Sequence, residues 1–150
     1  AEGRTMTDRE AAADLLRAQH TLVLATTAAD GTPHSAPLYY IPGEGFRLYW
    51  LSSPRSAHTR NLARGASVAV FQPAGDWRGI RGVQLWGTAR AVRGLRQKAD
   101  VLERYRTRFS LGAAFAPVIA RTRIYVFEPV RARYIDNSRG FGYRAEFDPR

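Results

Sequence analysis

Phe46-Arg47-Leu48-Tyr49-Trp50-Leu51-Ser52-Ser53-Pro54-Arg55-Ser56-Ala57-His58-Thr59-Arg60-Asn61-Leu62 reads as a strand running straight into the start of a helix. Apolar and aromatic residues fill Phe46 to Leu51, and a hydroxyl-rich junction follows. Ser53 is suited to cap the helix, and Pro54 to its first turn, where no amide partner is needed. Free backbone amides and the positive end of the helix dipole then face the same point as Arg55, Ser56, His58 and Arg60. Such a combination binds anions, phosphate most often. An ordinary capped helix with a solvated basic face would carry the same residues.

Upstream, Thr7 to Ala18 has the pattern of a short amphipathic helix, with Thr7 as N-cap and Glu10 completing a capping box. Ala11, Leu15 and Leu16, with Ala12 and Ala18, form its apolar stripe. Thr21 to Thr27 is a strand, Asp30-Gly31 a hairpin turn, and Thr32 to Ile41 the return strand. Pro33 and Pro37 lack amides, so that strand belongs at an edge, or carries a bulge, or leaves a gap for something else.

Downstream, Gly65 stops the junction helix. Ser67 to Phe71 and Ile80 to Val92 are strands, the second interrupted by Gly82 and Gly87 where a barrel strand bends. Gly94 to Phe109 is a helix with Leu95, Ala99, Leu102, Tyr105 and Phe109 at helical spacing. Ser110 to Thr122 is irregular or partly helical, broken by Pro117. Arg123 to Ile135 is the last strand, with Pro129 marking a bulge or bend, and a polar tail follows Asp136. The sum is about six strands in hairpin order with helices at the ends. The expected fold is mainly β: a six-stranded antiparallel split barrel with flanking helices.

A chain of 150 residues suits one domain. Residues 1–6 read as a disordered or added start: Ala1 to Thr5 precede Met6 and are either a remnant of expression or part of a longer native beginning. No signal-peptide pattern or membrane-length apolar run is visible, and cysteine is absent, which fits a reducing cytoplasm. The three histidines, His20, His34 and His58, lack metal-ligand spacing, so no metal site is expected. A formal charge of +10, nearly all arginine with Lys98 the one lysine, favours anionic partners without choosing among them.

The order of these segments, with Ser56-x-His58-x-x-Asn61-Leu62 and Arg81-Gly82-Val83-Gln84-Leu85-Trp86-Gly87, resembles the pyridoxamine 5'-phosphate oxidase-like, flavin-binding split barrel. The closing Tyr134-Ile135-Asp136-Asn137-Ser138-Arg139-Gly140-Phe141-Gly142 is similar to a small uncharacterised bacterial branch of that superfamily. The resemblance spans roughly Leu15 to Asn137. It implies a homodimer with flavin mononucleotide (FMN) in two clefts between subunits. Ser35, Ala36, Pro37 and Leu38 would run beside the ring. Trp50, Leu51 and Ser52 would flank ring and ribityl chain, and Ser56 and His58 would meet the phosphate. Arg55 or Arg60 would supply charge there, and the partner would add residues such as Arg81 and Gln84. Three departures from the family pattern stand out. His58 stands for the usual phosphate-binding lysine and Gly82 for a frequent glutamine. The arginine-x-histidine pair that serves substrate in true pyridoxamine phosphate oxidases is not seen.

Other residues carry two readings each. His34 reads as a strand residue with a solvated side chain, or as one approaching a substrate. Tyr49 and Trp50 alternate, so one faces the core and the other the cleft or dimer seam. Trp77, in a Pro/Gly loop, needs shelter from a lid or subunit contact. Arg78 and Arg81 either reach a cofactor or are solvated, Asp136 and Asn137 form a turn, and Arg139 to Gly142 could place Phe141 over the cleft. The leading function is a flavin-dependent oxidoreductase on an unknown small molecule, with no catalytic side chain named. The alternatives are a non-catalytic barrel carrying flavin, deazaflavin or haem and, further off, a nucleic-acid-binding barrel.

Overall fold

In a computed structural model, residues 5–150 are described. Residues 1–4, expected to belong to a disordered or added start, lie outside the described residues. Helix α1 (Asp8–Ala18) opens on the expected capping box: the Thr7 side chain accepts from the Glu10 amide and the Glu10 carboxylate accepts from the Thr7 amide. Ala12, Leu15 and Leu16 are its buried face.

Strands β1 (Thr21–Thr27) and β2 (Pro33–Tyr39) form the expected hairpin, pairing Thr21 with Tyr39 and Thr27 with Pro33. At its turn, Asp30 Oδ1 accepts from the Thr32 amide at 3.0 Å and Gly31 takes a positive φ of 87°. The chain continues through β3 (Ile41–Pro42), a 3-10 turn at Glu44–Phe46, and β4 (Leu48–Ser52). Then come α2 (Ala57–Asn61), β5 (Ala66–Phe71), β6 (Arg81–Ala91), α3 (Leu95–Phe109), α4 (Ala116–Ala120), β7 (Arg123–Asp136) and β8 (Arg144–Phe147).

All strand pairings are antiparallel, in one sheet ordered β2-β1-β5-β6-β7-β4-β3, with β8 also on β7. The edge position of β2 accommodates both prolines, as expected. The architecture is the expected split-barrel class, but among the described residues the sheet has eight strands rather than six. The two additions are β3, only two residues long, and β8, which forms when the tail turns back and the Asp136 amide donates to Tyr143 O.

The longest strand, β7, is the spine of the sheet. One edge pairs with β6 over its length, and the other pairs first with β4 and then with β8. The register slips where Trp86 faces Arg131 and Gly87 faces Pro129, leaving Val130 as the bulged residue. Glycine is required there: a Cβ on Gly87 would lie 2.2 Å from Glu128 O. The inside of the curl buries Leu22, Leu24, Trp50, Leu85 and Phe127 with the apolar face of α1. A second core lies under α3, where Val101 and Tyr105 meet Ile41, Tyr49, Ile124 and Val126.

Two helices differ from expectation. The buried stripe of α3 is Val101 and Tyr105, with Leu102 and Phe109 half-buried, whereas Leu95 is 84% exposed. Residues 93–100 are all exposed, so only the second half of α3 rests on the sheet. Pro117 does not break helix; it sits in the first turn of α4, where its missing amide costs nothing.

Candidate functional site

Strand β4 ends on Ser52, whose side chain is on the inner face with Leu48 and Trp50. The next residues turn rather than coil. Ser53 Oγ accepts from the Arg55 amide at 3.2 Å, and Ser53 O accepts from the Ser56 amide at 3.2 Å and from Ser56 Oγ at 2.9 Å. The N-cap is therefore Ser56, not Ser53, and Pro54 lies in the turn before the helix. The seryl turn satisfies the local donors first and delays the helix. What remains is the five-residue α2, so the donors here are mainly side chains, with little help from a helix dipole.

Those side chains converge. Ser52 Oγ and His58 Nε2 form a short hydrogen bond, and Ser56 Oγ lies 3.1 Å from the same nitrogen. Ser56 Oγ also lies 2.7 Å from Thr59 Oγ1. The His58 pKa is lowered, first by burial and second by the nearby His34, so the imidazole is neutral at neutral pH and has one proton to donate. Behind it, buried Asn61 donates to Thr26 Oγ1 at 3.2 Å and accepts from Arg64, fastening α2 to β1.

His34 belongs to this neighbourhood and not to the solvated surface. On β2 it pairs with Thr26 and shares the inner face with Ala36 and Leu38. Its Nδ1 is buried without a hydrogen-bond partner among the described residues. With Ser35, Arg64, Ser67 and Trp86, His34 lines a cavity of about 550 Å³. Pairing with Thr26 and the packing of α2 on β2 bring His34 beside His58, and no local sequence pattern announces either contact.

The remaining expected residues are dispersed around the sheet. Strand alternation splits the proposed ring-lining run: Ala36 and Leu38 point inward, while Ser35 and Pro37 are exposed on the outer face of the edge strand. Trp50 is fully buried, with its ring 6.4 Å from Phe127, and Tyr49 is buried beneath α3. Trp50 is thus the core-facing member of the pair, and Tyr49 borders a small cavity with Arg47, Arg90 and Gln97. Leu51 is half-buried and lines a cavity under α3. Arg55 and Arg60 are exposed, and neither side chain bonds the Ser52–Ser56–His58 cluster.

Arg81 is held by Asp136 at 3.3 Å and by Ser138 at 3.4 Å. Asp136 also caps the turn after β7, accepting from the Ser138 amide, as its turn reading anticipated. Its carboxyl is held below the usual range: hydrogen bonds from Ser138 and the charge of Arg81 outweigh the opposing effect of burial. Gln84 stands on the outer face of β6, its Oε1 buried without a partner among the described residues. Trp77 meets Phe141 edge-on at 5.7 Å between centroids, and both rings remain exposed.

The outer face of the sheet is only partly covered. Pro37, Val23, Ala69 and Gln84 follow one another across four strands, and Phe71 is 59% exposed nearby. Toward β7, Trp86 lies under Arg131 and Arg133, at 4.5 and 5.4 Å, and both guanidiniums bind Glu146 at 2.7 Å.

Residues 8–136 match the family described as pyridoxamine 5'-phosphate oxidase, and the chain belongs to that family. The fold is also that of solved structures with low sequence identity. A haem-binding protein from Mycobacterium smegmatis superposes with a TM-score of 0.78 at 22% identity, over 98% of this chain and 60% of that one. A conserved hypothetical protein from Mycobacterium tuberculosis gives 0.74 at 20%, over 95% and 93%. HutZ, the haem storage protein of Vibrio cholerae, gives 0.64 at 18%, over 83% and 91%. The chain thus spans about three-fifths of the M. smegmatis protein's length. No curated protein matches it by sequence.

Proposed function

We propose that this chain is a flavoprotein: a homodimer that seats the phosphate of FMN at Ser52, Ser56 and His58 and acts as an oxidoreductase on a small molecule. The observation that carries the reading is the cluster itself. Two hydroxyls and a neutral imidazole meet where β4 gives way to α2, the position at which the family resemblance implies phosphate. Arg55 and Arg60, exposed beside it, are the available cations. These groups are bonded to one another, so a phosphate would have to exchange their mutual hydrogen bonds for its own, with an imidazole where a lysine would bring full charge.

Bound flavin would supply the redox chemistry. The protein's own residues would anchor the phosphate, hold the ring along the edge strand, and exclude water. The partly covered outer face is where a second copy would dock, bringing the unpartnered Gln84 Oε1 into the shared groove. Arg81, tied to Asp136, would serve as a support for that strand end.

One observation favours a second reading, haem carriage. Two of the structural relatives are a haem-binding protein and a haem storage protein, and His34 Nδ1 is a buried nitrogen with no partner among the described residues, the kind of atom that ligates iron. Deazaflavin remains a variant of the first reading. The absorption spectrum of the purified protein, followed by titration with FMN and with haemin, separates them. Saturable FMN uptake that His58→Ala weakens supports the flavoprotein. A Soret band that His34→Ala abolishes, with no FMN uptake, refutes it.

A further inference from the structure

A separate cavity of about 760 Å³ opens between α1, the 3-10 turn after β3, and α3. None of the Ser52–Ser56–His58 cluster lines it. Its walls carry Arg9, Arg17, Arg47, Arg104 and Arg108, against Glu44 as the single lining carboxylate among the described residues. Its apolar floor includes Leu16, Ile41 and Phe46, all buried. The volume is in the range of sites for small organic ligands.

The guanidiniums are held in place but incompletely neutralised. Arg17 pairs with Asp14, Arg47 is 3.7 Å from Glu128, and Arg104 is 4.0 Å from Asp100, at the limit of an ion pair. Arg108 has no ion pair among the described residues; it donates to Arg17 O at 2.9 Å and to Gln19 O. Its Nε is buried without a partner among the described residues. Arg9 donates to Asp148 O and, at 3.2 Å, to Pro149 O, and stacks 4.9 Å above Phe46. The Asp148 carboxylate feels Arg9 but is bound by Arg150. Arg104 likewise donates to Pro42 O at 2.6 Å. A backbone carbonyl accepts a hydrogen bond and fixes a guanidinium plane, yet leaves its positive charge intact. Arginines whose charge is only partly offset among the described residues, over an apolar floor, match an anion with an apolar body.

We infer that this cleft is a second ligand site, which takes an organic phosphate of nucleotide size with two or more negative charges. The phosphate would meet the rim arginines, and a planar or apolar body would lie on Phe46 and Ile41. The site is independent of the flavin reading.

Calorimetric titration with ADP, adenosine and pyrophosphate tests this, on the full chain and on the Arg47→Gln/Arg104→Gln double variant. Both substituted residues are exposed, so the variant is expected to fold. ADP is expected to bind more tightly than either fragment, and the double variant to lose about tenfold or more in ADP affinity, two charge-assisted contacts being removed. ADP binding should be unchanged in His58→Ala. No heat with ADP, equal affinity for ADP and pyrophosphate, or undiminished ADP binding in the double variant would each overturn the inference. So would loss of ADP binding in His58→Ala, which would put the nucleotide in the flavin seat.

Discussion

His58 shows how one residue type changes the chemistry of a position. A lysine there would carry charge into the seat; a half-buried imidazole offers one neutral donor and shares its Nε2 with two serines. If flavin phosphate sits at this cluster, His58→Ala combined with Arg55→Ala should weaken FMN binding by an order of magnitude or more, each charge-assisted contact contributing about 1.5–3 kcal/mol. Fluorescence titration reads this directly. The same burial has a consequence for stability. The unfolded chain protonates His58 near the ordinary value of 6.5 and the folded chain only at lower pH. Its contribution is therefore complete above that value and declines as pH falls through it. Urea midpoints measured from about pH 7.5 to about pH 5 should fall less steeply in His58→Gln than in the parent chain. Identical slopes would show that His58 titrates normally. At Gly87 the constraint is steric: Gly87→Ala should lose about 1–3 kcal/mol or more, because Glu128 O occupies the space. Gly82→Ala, whose nearest neighbour would be 3.3 Å away, should cost less by the same denaturation assay.

At the scale of the element, what the sequence revealed was local chemistry. The Thr7–Glu10 box, the Asp30-Gly31 turn, the edge prolines and the bend at Pro129 each rest on a few adjacent residues, and all four are in the structure. Thr7→Ala should accordingly lower stability by about 0.5–2 kcal/mol in thermal denaturation. Where competing local options existed, sequence reasoning chose wrongly. Ser53 and Ser56 both qualify as caps, and only the hydrogen bonds of the intervening turn decide between them. Strand β8 was hidden because its four residues depend on β7 for pairing and carry no strong alternation of their own. The stripe on α3 was misplaced because helical spacing gives a face but not how much of the helix reaches the sheet. The cluster was half legible: Ser52, Ser56 and His58 are close in sequence, whereas His34 and Asn61–Thr26 meet only through the fold.

For the whole molecule, two features bear on the proposed dimer and ligand. One is the partly covered sheet face running from Pro37 to Gln84 beside exposed Phe71; the other is a net charge of +10. Apolar surface of this kind on an otherwise charged protein favours association with a matching surface, and a twofold dimer presents the same patch twice. Phe71→Glu would place like charges near the seam of that dimer and should shift the assembly towards monomer in light scattering, with FMN affinity falling in parallel. An unchanged mass would remove this face from the interface. The most direct test of the account is analytical ultracentrifugation of the chain with FMN, followed in the blue flavin absorption band. The account predicts that the flavin signal sediments with a species of twice the 16.8 kDa chain mass, one flavin per chain. Flavin that stays at the meniscus, or protein that sediments at the single-chain mass, would contradict it.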